Sequence, residues 1–166
     1  RIGLPDIGVL NLAALEKTNQ PTVHVFQSDD ERFPIHCGSD AYTLVLRKTI
    51  LNACINPLTA ILNVPNGELI INSYTFSLVR KIFEEVMEAF PEMKSLQLDD
   101  VKKLCEKTAE NRSSMLQDIQ NGTKTEIEAI AGALIEHATN RNKSLPTLQI
   151  LYTLVQSKEE SGAHYA

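Results

Sequence analysis

The chain has 166 residues, 43 % apolar and 22 % charged, with a net charge of −5. That is enough for one domain with a sizeable core, and the acidic balance, with no basic patch interleaved with aromatics, argues against nucleic-acid binding driven by phosphate neutralisation. No apolar run approaches the roughly 20 residues that span a bilayer, so no membrane association is expected and a cytoplasmic protein is. The chain opens on Arg1 rather than Met and is read as processed or cut from a longer product, with any native targeting segment out of view. Residues 1–40 carry Pro5, Pro21, Pro34, Gly3, Gly8 and Gly38 around one strand-like run, Thr22 to Phe26. They read as an irregular lead-in with one edge strand, or as the remnant of a preceding domain.

From residue 41 the pattern is helical. Asp40 suits an N-cap for a helix from Ala41, and Pro57 is expected to kink or interrupt that helix. Pro65-Asn66-Gly67 reads as a turn. Over 74–90, Phe76, Val79, Ile82, Phe83, Val86 and Phe90 share one face, with Glu84, Glu85 and Glu88 elsewhere, and Pro91 ends the segment. Asp99 and Asp100 suit the start of a helix over 99–110. Residues 114–120, 124–140 and about 146–158 give three more, separated by Asn121-Gly122 and by Asn140 to Pro146. The expected fold is mainly α, a bundle of about six helices with short connections.

Cys37, Cys54 and Cys105 are far apart, without a C-x-x-C or paired-histidine spacing, so no metal site is expected and free thiols are. His24, His36, His137 and His164 form no constellation and are expected on the surface or in tails. The N-x-[ST] triplets at Asn111, Asn121 and Asn142 are taken as chance matches.

One segment departs from ordinary patterning. In RKTILNACINPLTAILN (47–63), Lys48, Asn52, Asn56, Thr59 and Asn63 interrupt an otherwise apolar run. At ~100° per residue they fall near about 0°, 40°, 80°, 20° and 60°, within a quarter of the helix circumference. A narrow solvated face and a face turned to a cleft both fit. Asparagine is a poor helix former, which a merely wet face does not need. Amides and an ammonium together suit a small ligand rich in oxygen. Other polar residues have local explanations that compete. Thr123-Lys-Thr-Glu126 and Ser114-Met-Leu-Gln117 both fit a capping box. Asn66-Gly67 is first a turn, and Asp118 is either solvated or paired with Lys124.

RKTILNACINPLTAILNVPNGEL (47–69) resembles the start of the C-terminal domain of ketopantoate reductase (2-dehydropantoate 2-reductase), a 6-phosphogluconate-dehydrogenase-like enzyme. The likeness continues through AENRSSMLQDIQNGTKTEIEAIAGALI (109–135) and ends in the helix after Leu145-Pro146. The K-x3-N-x3-N-P-L-T-A and S-S-M-L-Q-D…T-E-I strings, in this order and spacing, are specific. The resemblance implies reduction of ketopantoate to pantoate with NADPH, on the route to pantothenate and coenzyme A. It implies an N-terminal Rossmann domain, an all-helical C-terminal domain and a substrate cleft between them. Lys48 corresponds to the family's catalytic lysine and Glu126 to its active-site glutamate. Asn52, Asn56 and Asn66 correspond to its substrate-contacting asparagines, Ser114 to its carboxylate-binding serine, and Asp118 to a supporting acid. The expected domains are 1–40 as connector or remnant of the cofactor domain, 41–160 as the substrate-binding domain, and 161–166 as a tail.

The chain departs from the family in one large respect: it has no G-x-G-x-x-G, and nothing in 1–40 could build a βαβ unit. These residues are therefore expected to be one half of a reductase, inactive by themselves, whose partners are the substrate, the missing Rossmann domain and, through an apolar face, a second copy. Two other functions fit the same residues. One is a non-catalytic dimerisation or partner-binding module derived from this domain; the other is a family reductase acting on a different 2-keto acid.

Overall fold

The computed structural model describes residues 41–163, and the lead-in with its strand-like run, Asp40, Cys37, His24, His36 and His164 lie outside them. Among the described residues every regular element is helical: α1 (Ala41–Leu62), α2 (Glu68–Ile71), α3 (Ser73–Ala89), α4 (Leu98–Lys107), α5 (Ser114–Gln120), α6 (Ala133–Asn140) and α7 (Pro146–Ala163), with a 3-10 turn at Pro91–Met93 and a π turn at Glu128–Gly132. None of these helices is long and apolar enough to cross a membrane.

The hydrophobic stretch 46–60 makes α1 the central helix. Leu46, Ile50, Ala53, Cys54, Leu58 and Ala60 are buried, and α1 packs against α3, α4, α5, α7 and the π turn. The helix is not interrupted at Pro57, one of the two outcomes expected there. A proline forfeits one backbone bond, and packing on several sides holds the helix together through it. The helix ends at Asn63, whose φ of 56° is left-handed, a conformation asparagine tolerates better than most residues. The last carbonyls of a helix lack intrahelical donors. Here Lys158 of α7 donates its Nζ to the carbonyls of Ala60 and Ile61, at 3.1 Å each.

The amphipathic α3 buries Val79, Ile82, Phe83 and Val86 as its periodicity demands. Glu85, on its flank, accepts from the Thr147 amide at 2.9 Å and so caps the start of α7. At α4, Asp100 Oδ2 accepts from the Gln97 amide at 2.9 Å, and Arg47 of α1 lies 3.3 Å from the same oxygen. The Gln97 amide and then Arg47 hold the Asp100 carboxyl below its usual range.

Three expectations need correction. The helix drawn over 124–140 begins only at Ile127 and passes at once into the π turn, because Thr125 rather than Thr123 opens it. The last helix runs to Ala163 instead of ending near 158. His137 is buried in α6 rather than on the surface. Cys54 and Cys105 are buried free thiols. Burial pushes Cys105 up to about 11 and Cys54 further still.

Candidate functional site

Along the polar stripe of α1, burial rises from Lys48 to Thr59 and falls away again at Asn63, which is exposed. Lys48 is exposed and Asn52 half-buried, Asn56 is 7 % exposed and Thr59 fully buried. The stripe is therefore not a uniformly wetted face. Its N-terminal half is open, and its C-terminal half is covered by α5.

The covering contact is a chain of hydroxyls. The Leu116 amide donates to Ser113 Oγ at 3.1 Å, which makes Ser113 the N-cap of α5. Ser113 Oγ and Thr59 Oγ1 are 2.7 Å apart, and Thr59 donates to the Asn56 carbonyl at 2.9 Å. Since the Thr59 hydrogen goes to Asn56, the Ser113 hydroxyl donates to Thr59. This chain fixes the start of α5 beside Asn56. Ser114 then falls at the first helical position, exposed and without a side-chain hydrogen bond, so the box expected at Ser114 does not form and Ser113 caps the helix alone, with Leu116 at the third position unable to return the bond. At the other end of the stripe, Asn63 Oδ1 accepts from Gln120 Nε2 at 2.7 Å. Thr59 and Asn63 are structural.

Asn66 sits in a turn bolted to the end of α4. Its amide N–H donates to the Asn111 carbonyl and that of Gly67 to the Ala109 carbonyl, both at 3.0 Å. A Cβ on Gly67 would lie 2.8 Å from the Ala109 Cβ, so the approach requires glycine. The Asn66 side chain turns inward: Nδ2 donates to Thr108 Oγ1 at 2.9 Å, whose own hydrogen goes to the Leu104 carbonyl at 2.7 Å. That fixes the amide orientation and leaves Asn66 Oδ1 buried without a partner.

Glu126 lies in the loop between α5 and the π turn. The hydroxyl of Thr123 bonds to Asp118, with the Oδ1 at 3.3 Å and the carbonyl at 3.2 Å, so Asp118 supports this loop instead of pairing with Lys124. The Thr125 amide donates to Glu159 Oε1 of α7 at 2.6 Å. Thr125 Oγ1 accepts from the Ile127 amide at 3.1 Å, the capping role the sequence pattern had given to Thr123 and Glu126. Glu126 is exposed, and its carboxylate makes no hydrogen bond to another described residue.

Ser113 thus ties the start of α5 to Thr59 and, through it, to the Asn56 carbonyl; the Asn66 turn is tied to residues 108–111 just before α5, and Lys48 and Asn52 lie on the open part of the stripe. Two open depressions, of about 550 and 330 Å³, flank α5 on its other sides. Neither is lined by Lys48, Asn52 or Asn56. No group of three or more His, Cys, Asp or Glu among the described residues could hold a metal ion.

Residues 40–159 match the family described as "Ketopantoate reductase PanE/ApbA C terminal". The chain belongs to the ketopantoate reductase family. It is 34 % identical over 157 residues to the 2-dehydropantoate 2-reductase of Bacillus subtilis, covering 93 % of this chain and 53 % of that protein. The crystal structure of a probable 2-dehydropantoate 2-reductase from the same organism superposes with a TM-score of 0.69 at 36 % identity, over 80 % of this chain and 46 % of the other. D-mandelate dehydrogenase, in a ternary structure with NADH and anilino(oxo)acetate, gives 0.67 at 28 % identity, over 76 % and 43 %. The chain spans about half the length of the ketopantoate reductases it matches, so the all-helical fold described above is that of the family's C-terminal part.

Sequence reasoning missed the residues that hold this site in place. Ser113, Thr125, Thr108, Tyr152 and Glu159 act through contacts far along the chain. A signal was present only for the last two, since Tyr152, Gln156 and Glu159 repeat at helical spacing on α7.

Proposed function

We propose that this domain is the substrate-binding and acid-catalysis half of an NADPH-dependent reductase that converts ketopantoate to pantoate, serving pantothenate and coenzyme A formation. The observation that carries the reading is the fate of the two capping boxes. Ser113 and Thr125 take the local roles, which leaves Ser114 and Glu126 exposed and unbonded, the first on a helix fastened to α1 through Thr59 and the second in a loop fastened to α7. Polar side chains left without protein partners are what a small polyoxygenated substrate needs.

In this reading Lys48 is the general acid. Hydride addition to the keto carbon builds charge on its oxygen, and the ammonium passes a proton to that oxygen as the charge forms. Asn52 and Asn56 donate to substrate oxygens, Ser114 binds the carboxylate, and Glu126 accepts from a substrate hydroxyl. Asn66 contributes from the floor, where its orphan Oδ1 has capacity for one donor. Asp118 supports the Glu126 loop. The described residues offer neither a strand nor a glycine-rich loop for a nucleotide. The hydride would come from NADPH held by a Rossmann part of such an enzyme, at the open side of the stripe.

The similarity to D-mandelate dehydrogenase favours one second reading, in which the substrate is another 2-keto acid. Titration of pantoate, monitored by ligand-observed NMR, tests the first. Asn56→Ala and Ser114→Ala are each expected to weaken binding about tenfold, the usual scale for one hydrogen bond to a charged or buried group. Equal affinity in wild type and both variants refutes the site.

A further inference from the structure

Loops hold side chains less firmly than helices do, yet a substrate-binding carboxylate has to be held to within about 0.5 Å to act. The residues on either side of Glu126 are gripped by one helix. Glu159 takes the Thr125 amide at 2.6 Å. Tyr152 donates its hydroxyl to the Glu128 carboxylate and is itself held by Gln156 Nε2 at 2.8 Å. Tyr152, Gln156 and Glu159 stand at i, i+4 and i+7, on one face of α7. The π turn between them has a residue small enough for this approach: a Cβ on Gly132 would lie 3.1 Å from Glu128 Oε1 and 3.4 Å from the Tyr152 ring. The same helix reaches the end of α1 through Lys158. Thus α7 is bonded both to the helix bearing the asparagines and to the loop bearing Glu126.

We propose that the Tyr152–Gln156–Glu159 face of α7 is a positioning device for Glu126, setting its distance from the polar stripe of α1. The proposal rests on the reading of Glu126 as a substrate contact. Glu159 and Tyr152 touch no substrate and act only through the 125–128 segment.

The test is a titration of the full 166-residue chain with pantoate, read by ligand-observed NMR, for wild type, Glu126→Gln, Glu159→Ala, Glu159→Gln and Glu126→Gln/Glu159→Ala. Glu159→Ala is expected to weaken binding several-fold. Glu159→Gln, which keeps an oxygen for the Thr125 amide, is expected to bind as wild type. The double variant is expected to bind no more weakly than Glu126→Gln, because a residue acting through Glu126 has nothing left to position. A purely structural role would give a double variant weakened by the product of the two single effects, and that result overturns the proposal. Wild-type affinity in Glu159→Ala alongside weakened Glu126→Gln also overturns it and leaves the substrate role of Glu126 standing. Wild-type affinity in Glu126→Gln overturns both.

Discussion

Thr59→Val isolates the contact that fastens α5 to the polar stripe. The valine keeps the shape of a fully buried side chain and removes only the hydroxyl. Two hydrogen bonds go, the 2.9 Å bond to the Asn56 carbonyl and the 2.7 Å bond with Ser113. The Ser113 hydroxyl, 7 % exposed, is left with a buried hydrogen and no acceptor. The bond to the Asn56 carbonyl contributes about 1 kcal/mol and the stranded Ser113 hydroxyl costs about 1–3, so the expected loss is about 2–4 kcal/mol. At roughly 3–5 °C per kcal/mol for a domain of this size, Tm falls by about 6–20 °C. Thr59→Ser keeps the chain of hydroxyls and loses one buried methyl, about 1 kcal/mol. Urea melts followed by circular dichroism measure both, with an unchanged m-value showing that only stability moved. A Thr59→Val midpoint within error of wild type, or a serine variant as damaged as the valine, refutes the hydroxyl chain.

Two further variants probe the scaffold. Gly67→Ala drives a methyl to 2.8 Å from the Ala109 Cβ and should cost about 1–3 kcal/mol as overpacking, seen as a lower Tm; an unchanged Tm would mean that the turn yields freely. Asp100→Asn removes a carboxylate held below its usual range by the Gln97 amide and Arg47. A carboxyl with a depressed folded-state pKa stabilises above its unfolded value, and that stability is lost as pH falls through the folded one. The variant should therefore be less stable than wild type at pH 7, and the gap should close on acidification, as thermal melts across a pH series would report; a gap independent of pH rejects the assignment.

Periodicity carried most of the fold. The apolar spacing of α3 and the acids at the start of α4 depend on neighbours within a turn or two, and α1, α3 and α5 lie close to where the pattern put them. The misplacements share a cause. Ser113 and Ser114 both satisfy a capping pattern, as do Thr123 and Thr125. What selects Ser113 is a hydroxyl 54 positions away on α1, and what selects Thr125 is a carboxylate 34 positions away on α7. Pro57 stays helical for a similar reason, since its neighbours pack the helix from several sides. The candidate site residues were legible as a stripe and as family strings. The burial gradient along that stripe was not, because it depends on where α5 lands.

The bolted Asn66 turn also decides how this protein ages. Asparagine followed by glycine is the dipeptide most prone to deamidate, because the glycine nitrogen can swing onto the side-chain carbonyl. The chain has two such pairs in its described part, Asn66-Gly67 and Asn121-Gly122. At the first, the amide is pinned to Thr108, the glycine N–H is bound by Ala109 and the side chain is out of water. At the second, the Gly122 N–H is also bound, by the Ile119 carbonyl at 3.2 Å, but Asn121 is exposed in a turn and no side chain among the described residues holds its amide. Chemical wear is thereby steered to the loop that Asp118 and Thr123 hold beside Glu126, so, on the proposed role of Glu126, a stored sample should lose affinity for pantoate while its melting temperature scarcely moves.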